Sequence, residues 1–146
     1  MVTDTPQGKA PRVLIADDNA FMRSKLSEIL RDAGCQVVGE AEDGVQAVAM
    51  YAELGPDVVT MDLVMPEMEG LEAIGHIIEA DPDARIIVCS AMGSDDLVSS
   101  ALESGALDFL IKPYQVERVV DAVKAAMPGA VFLASGSSAM VDRSDG

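Results

Sequence analysis

Short β-branched runs alternate with segments of helical periodicity along this chain, and that alternation limits the possible folds more than any other feature. Strand-like runs are predicted at residues 13–16, 36–41, 57–61, 85–89 and 109–111. After each run, apolar residues recur at the three- to four-residue spacing of an amphipathic helix. Right-handed crossovers between parallel strands put helices on both faces of a sheet. We therefore predict an α/β domain with a five-stranded parallel sheet, wound on both sides.

Turn residues separate these segments where helices should begin or end. Asn19 is a typical N-cap for the first helix, and Gly34 is suited to end it. Gly55 followed by Pro56 ends the second helical pattern, because proline cannot continue a helix. The order of turns agrees with short connections between successive strands and helices.

Length and charge narrow the class of protein. The chain has 146 residues, which suits a single domain with one buried core. It carries 25 acidic and 10 basic residues, a formal net charge of −15. Such a charge disfavours partners that are themselves anionic, so we expect neither nucleic acid nor membrane lipid as a ligand. No run is apolar enough for a secretory signal or a membrane span, and a cytoplasmic monomer is expected.

The two ends differ in composition from the middle of the chain. Residues 1–11 are polar and are expected to form a flexible N-terminal segment, ahead of a domain at residues 12–127. Residues 128–146 are expected to form a largely disordered tail, because most of them are small and polar. Within that tail the apolar stretch 130–134 has no partner that the sequence identifies, and it could either pack on the domain or dock elsewhere.

Acidic residues and one lysine stand where predicted strands end. Asp17 and Asp18 follow the first strand, Asp62 follows the third, and Lys112 follows the fifth. The carboxyl ends of parallel strands meet at one edge of an open sheet, where ligands bind. Three carboxylates gathered there would repel one another unless a hard cation and a lysine neutralised them. The pattern predicts a site that binds Mg²⁺ and handles phosphate.

The same landmarks, taken together, resemble the receiver domain of two-component response regulators. They are the acidic pair Asp17-Asp18, the segment 56–62 with Met65-Pro66 and Gly70, Ser90-Ala91, and Lys112-Pro113. The resemblance runs over about residues 12–127 and implies the flavodoxin-like, doubly wound fold. Single-domain chemotaxis (CheY-like) regulators are the most similar members, through the stretches 20–23, 59–62, 89–93 and 112–115.

This resemblance implies a role for each residue of the predicted site. Asp62 would accept a phosphoryl group from a phosphohistidine of a partner kinase. Mg²⁺ would be held by Asp17, Asp18, Asp62 and the backbone carbonyl of Val64, an all-oxygen set that this ion prefers. Lys112 would contact a phosphoryl oxygen as a point charge.

A second group of residues is implied to transmit or tune the signal. Ser90 would move to bond the new phosphoryl group, and Phe109 would turn inward into the space released. The peptide bond before Pro113 is expected to be cis. Val64 and Met92 flank the acceptor at positions where other members often have polar side chains, so the lifetime of the phosphoryl group should differ from theirs.

Three functions are compatible with these residues. The first is a switch, phosphorylated by a chemotaxis-type histidine kinase, that acts by binding a motor-switch protein or a phosphatase and is not itself an enzyme in the usual sense. The second is a phosphorelay carrier that passes the group to another histidine. The third is a Mg²⁺-dependent phosphatase with Asp62 as nucleophile, which is disfavoured because Val64 stands where such enzymes carry a second acid.

Overall fold

The structure is a computed structural model that describes residues 9–133. Its strands are β1 (Arg12–Ala16), β2 (Gln36–Ala41), β3 (Val58–Asp62), β4 (Ile86–Ser90) and β5 (Asp108–Ile111). Its helices are α1 (Ala20–Asp32), α2 (Gly44–Leu54), α3 (Gly70–Ala80), α4 (Asp95–Glu103) and α5 (Val116–Ala126). The predicted alternation of strand and helix is confirmed.

All strands of the sheet are parallel, in the order β2-β1-β3-β4-β5. The chain therefore crosses to one side of β1 to form β2 and then to the other side for β3. A crevice opens where the order reverses, between the carboxyl ends of β1 and β3. Ala16 is paired with Met61, which brings the residues that follow each of them next to one another.

Two of the strands begin and end one residue later than the sequence predicts. β3 includes Asp62, which is paired with Cys89, and β4 includes Ser90, which is paired with Ile111. Both polar residues remain in the sheet because the neighbouring strand, β4 for Asp62 and β5 for Ser90, extends far enough to pair with them. Their side chains are consequently fixed by regular strand backbone rather than by loops.

Side chains alternate between two cores, one on each face of the sheet. Leu14 and Ala16 of β1 belong to the core beneath α2, α3 and α4. Val13 and Ile15 belong to the core beneath α1 and α5. Burial on both faces accounts for strands that are apolar at almost every position, rather than at every second one.

The segment after α5 packs back on the domain. Phe132 lies against the core beneath α1 and α5. The Val131 N–H donates a hydrogen bond to the Lys9 carbonyl at 2.9 Å, and the Leu133 N–H donates one to the Ala33 carbonyl at 2.7 Å. These contacts give a partner to the apolar stretch that the sequence left unassigned.

Residues 1–8 and 134–146 lie outside the described part, and with them lie most of the expected flexible N-terminal segment and of the expected disordered tail. Among the helices within residues 9–133, none combines the length and the apolar character that a membrane crossing requires.

Gly70, the first residue of α3, lies directly against the end of β3. A methyl group at its Cα would overlap the carbonyl oxygen of Asp62 and come within 2.8 Å of the Leu63 Cα. Neither backbone atom can move without displacing the acidic side chain next to it. The close approach of helix and strand therefore depends on a residue with no side chain at this position.

Gly70→Ala is expected to destabilise the domain by about 1–3 kcal/mol, the cost of overpacking a rigid contact. Gly75→Ala in the same helix is the matched control, because no atom lies within 4 Å of the position a Cβ would occupy there. That control should stabilise the domain by about 0.5–1 kcal/mol through helix propensity. Urea denaturation measures both, and equal effects of the two changes would contradict the packing argument.

Candidate functional site

The three acidic residues predicted from the strand ends converge at the carboxyl edge of the sheet. Carboxylate oxygens of Asp17, Asp18 and Asp62 lie within 4.8 Å of one another. Asp17 is 2% exposed and Asp62 is 6% exposed, whereas Asp18 is open to solvent. The group therefore combines two buried acids with a third that faces the entrance.

Lys112, the residue that follows β5, contacts both of the buried acids. Its Nζ donates hydrogen bonds to Asp17 Oδ2 at 2.7 Å and to Asp62 Oδ2 at 3.1 Å. The backbone N–H of Lys112 bonds the Ser90 carbonyl at 2.8 Å, which extends the ladder by one residue past β5. The bond from Lys112 to Pro113 is cis, as the resemblance implied.

The pKa values of Asp62 and of Lys112 are both raised, but for different reasons. The pKa of the Asp62 carboxyl is raised, chiefly by burial and further by the charge of Asp17, and the opposing effect of Lys112 does not cancel these. Burial alone would lower the pKa of Lys112, but hydrogen bonds and charges from Asp17 and Asp62 outweigh it and raise the pKa. One ammonium group contacts two carboxylates of a cluster of three, so the cluster keeps a negative charge that a cation could neutralise.

Backbone contacts fix Asp17 firmly. Its Oδ1 accepts a hydrogen bond from the Asn19 N–H at 2.8 Å, and its own N–H donates to the Ala41 carbonyl at 3.0 Å. Asn19 also caps α1, since its Oδ1 accepts from the Met22 N–H at 3.0 Å. The loop between β1 and α1 is ordered by these bonds. The Asp17 carbonyl also accepts a bond from Arg23, to which sequence reasoning assigned no role.

The predicted switch residues lie beside the acids. Ser90 is buried, and its Oγ accepts a hydrogen bond from the Met92 N–H at 3.1 Å. Phe109 is 8% exposed and packs into the core beneath α2, α3 and α4. Phe109 is thus largely buried, and the Ser90 hydroxyl is engaged with its own loop.

The entrance to the site is apolar on two sides. Val64 is 72% exposed and Met92 is 67% exposed, and both line a cavity of about 720 Å³ that contains Asp62 and Lys112. The Val64 N–H lies 3.4 Å from Asp62 Oδ1, a long and weak hydrogen bond. A group bound in this cavity beside Asp62 would therefore lie close to two exposed apolar side chains.

The donor set fits a magnesium ion. Mg²⁺ is a hard cation that takes oxygen ligands, commonly one or two carboxylates with the remainder from water and phosphate. Asp17, Asp18 and Asp62 offer three carboxylates within reach of one point, and Asp18 lies toward solvent, from which water ligands would come. No nitrogen or sulfur ligand belongs to this group, which argues against a zinc-type site.

Comparison with known proteins agrees with this geometry. The profile of the response regulator receiver domain matches residues 13–124. The chain belongs to the response regulator receiver family. Members of this family are signalling domains rather than enzymes in the usual sense, and they bind Mg²⁺ at a cluster of aspartates.

The similar proteins narrow the kind of receiver. The chemotaxis protein CheY of Thermotoga maritima is 55% identical over 112 residues, which cover 77% of this chain and 93% of that protein. CheY of Bacillus subtilis is 52% identical over 114 residues, covering 78% of this receiver and 95% of the relative. The expectation of a chemotaxis response regulator is thereby confirmed.

Solved structures are similar over the same region. A chain in the crystal structure of a CheX–CheY–BeF₃–Mg²⁺ complex from Borrelia burgdorferi has a TM-score of 0.78 and 36% identity, and the match covers 81% of this receiver and 90% of that chain. The response regulator domain of Thermotoga maritima CheB has a TM-score of 0.77 and 36% identity, with coverage of 82% and 97%. Both likenesses agree with the predicted fold class.

Proposed function

We propose that this receiver is a phosphorylation-dependent switch of a chemotaxis system and that Asp62 is its phosphoryl acceptor. The observation that carries the proposal is the convergence of Asp62 with Asp17, Asp18 and Lys112 at the sheet edge. Among these acids, Asp62 is the one that both contacts the lysine and lines the cavity.

In the proposed reaction an Asp62 oxygen attacks the phosphorus of a phosphohistidine on a partner kinase. A P–O bond forms, the P–N bond breaks, and its electron pair stays on the imidazole nitrogen, which takes up a proton. The three carboxylates and the Val64 carbonyl would hold Mg²⁺, which would supply positive charge to the phosphoryl oxygens. Lys112 already bridges two anions and can transfer one of its hydrogen bonds to the phosphoryl group.

We propose that Ser90 and Phe109 respond when the phosphoryl group is added to Asp62. Within residues 9–133 the Ser90 hydroxyl is bonded to the Met92 N–H of its own loop, so we propose that a rotation about χ1 aims it at the new phosphoryl oxygen. We propose that the β4–α4 loop follows this hydroxyl and that the packing of Phe109 changes with the loop. Phe109 has no hydroxyl, so the change would be transmitted by packing alone.

The surface beside Phe109 suits a partner with an apolar contact face. Three residues are each about half exposed: Leu107 just before β5, Ile111 at its end and Val116 at the start of α5. We propose that a motor-switch protein binds there, in the cytoplasm, when Asp62 is phosphorylated. We propose a phosphatase as a further partner class. A chain similar to this one forms a complex with CheX, which agrees with binding of a second kind of protein partner.

Phosphotransfer assays distinguish the proposed switch from the two alternatives, a phosphorelay carrier and a Mg²⁺-dependent phosphatase. The protein is incubated with a phosphorylated chemotaxis histidine kinase and Mg²⁺, and its intact mass is followed. A switch gains one phosphoryl group, and a pull-down with beryllofluoride and Mg²⁺ then enriches motor proteins over the unloaded form. A phosphorelay carrier passes the label to a histidine phosphotransfer protein. Sustained hydrolysis of a generic phosphate ester would favour a phosphatase and contradict the proposal.

Val64→Asn is expected to shorten the lifetime of the phosphoryl group by about threefold to tenfold, equivalent to roughly 0.7–1.4 kcal/mol in the barrier. The valine cannot orient a water molecule at the cavity entrance, whereas an amide can do so by hydrogen bonding. Met92→Glu adds an acceptor on the opposite side of the entrance and tests the same idea.

Release of inorganic phosphate after removal of the donor measures these rates. Val116→Asn is the matched control, because this valine is exposed on α5, outside the residues that line the cavity, and receives the same substitution. Unchanged rates in Val64→Asn and Met92→Glu would show that the apolar entrance does not tune hydrolysis.

A further inference from the structure

We propose that Arg23 is a positioning residue that holds the metal-binding loop between β1 and α1 in shape. The proposal rests on the proposed function, because it concerns the same Mg²⁺ site. Arg23 lies in the first turn of α1, and its side chain is 13% exposed. Its Nη1 donates a hydrogen bond to the Asp17 carbonyl at 2.7 Å, and its Nε donates one to Glu40 Oε1 at 3.2 Å. The guanidinium thus bridges the acid loop and a neighbouring strand.

The end of β2 holds Asp17 by two routes at once. The Ala41 carbonyl accepts the Asp17 N–H directly at 3.0 Å, and Glu40 holds the Asp17 carbonyl through Arg23. Both polar groups of the Asp17 backbone are therefore tied to the last two residues of one strand. The peptide plane that Arg23 contacts is the one that leads into Asp18.

Asp18 needs such support more than the other two acids do. Asp17 and Asp62 are buried, and Lys112 contacts both, whereas Asp18 is exposed. The direction of an exposed carboxylate is set mainly by the backbone that carries it. A tether on the preceding carbonyl therefore decides whether the third carboxylate faces the other two. Residues that orient metal ligands from outside the ligand set commonly change metal affinity by about 10–100-fold.

Removal of the Arg23 side chain should change Mg²⁺ affinity in opposite directions, depending on whether the residue acts through its charge or by positioning the loop. Loss of a cation close to three carboxylates would strengthen the binding of Mg²⁺ by simple electrostatics. Loss of the tether would weaken it, because the loop must then be ordered when the ion binds. Arg23→Lys separates the two further, since it keeps the charge but lacks the planar fork that reaches two acceptors.

The test is titration of the full chain with Mg²⁺ by calorimetry, with the amide signals of Asp18 and Asn19 followed by NMR. Arg23→Ala is expected to weaken Mg²⁺ binding about tenfold and to broaden or shift both signals before Mg²⁺ is added. Arg23→Lys should also bind more weakly than the unmodified protein. Arg31→Ala, an equal loss of charge at an exposed position in the last turn of α1, should bind Mg²⁺ as the unmodified protein does.

The outcomes are separable. Unchanged or tighter binding in Arg23→Ala together with unchanged binding in Arg23→Lys would overturn the inference and leave the proposed function intact. If Arg23→Ala does not fold, Arg23→Lys decides the question alone, because weaker binding at constant charge supports a positioning role. Failure of the unmodified protein to bind Mg²⁺ would contradict the Mg²⁺ site itself, and the role of Arg23 with it.

Discussion

Asp62→Asn should abolish incorporation of a phosphoryl group from a phosphorylated kinase in the presence of Mg²⁺. The amide nitrogen and oxygen that replace the carboxylate are too weakly nucleophilic to form the acyl phosphate. Asn keeps the shape of the side chain, so the loss would be one of chemistry rather than of folding. Intact mass spectrometry of the protein after incubation measures the result as a complete loss of the added phosphoryl mass.

The same substitution should raise the stability of the metal-free protein. The pKa of Asp62 is raised above its unfolded value by burial and by Asp17, so its contribution to stability is present at low pH and is lost as the pH rises through the folded pKa. Removal of this charge near neutral pH should stabilise the fold by about 1 kcal/mol, the net of a relieved repulsion and a lost contact with Lys112. Mg²⁺ should stabilise the unmodified protein and have little effect on the variant.

Asp83→Asn is the control for both results, because Asp83 is an exposed acid in the turn before β4. It should leave labelling and the response to Mg²⁺ unchanged. Labelling that persists in Asp62→Asn would show that another residue accepts the phosphoryl group, and the proposed reaction would have to be abandoned.

Lys112→Ala is expected to lower the free energy of unfolding of the metal-free protein by about 3 kcal/mol. The change leaves Asp17 and Asp62 buried side by side without the ammonium that contacts both. Because protonation of either acid relieves that repulsion, the loss should shrink as the pH falls, and Mg²⁺ should restore part of the stability. Denaturation curves at several pH values and Mg²⁺ concentrations measure these effects.

Lys112→Ala should also separate phosphorylation from its structural consequence. Asp62 and the metal ligands remain, so labelling should persist at a reduced rate, while the contact that links the phosphoryl group to β5 is gone. Lys25→Ala removes an exposed lysine from α1 and should alter neither property. A variant Lys112→Ala that is as stable as the Lys25→Ala control at neutral pH would contradict the electrostatic account of the cluster.

The sequence predicted the fold and the meeting of Asp17, Asp18 and Asp62 because both follow from local rules. Strand and helix periods specify a parallel sheet, and a parallel sheet brings strand ends together. It could not predict that Asp62 and Ser90 remain inside their strands, since that depends on which strand lies beside each of them. The order β2-β1-β3-β4-β5 is a tertiary property of that kind.

Residues that act through a contact distant in sequence were also missed. The bond from Arg23 to Glu40 spans 17 positions, and no spacing rule links a helix residue to the end of the following strand. The packing of Phe132 beneath α1 and α5 is similar, because a short apolar stretch alone does not reveal which surface will bury it. In each case the partner is decided by the assembled sheet.

The contacts of Val131 with Lys9 and of Leu133 with Ala33 bring both ends of the described chain to the amino edge of the sheet. The acid cluster occupies the opposite edge, at the carboxyl ends of β1 and β3. The described part of the chain therefore begins at Lys9 and ends at Leu133 on the side of the sheet away from Asp62. A reporter joined directly before Lys9 or directly after Leu133 would lie on that side and leave the acid cluster accessible.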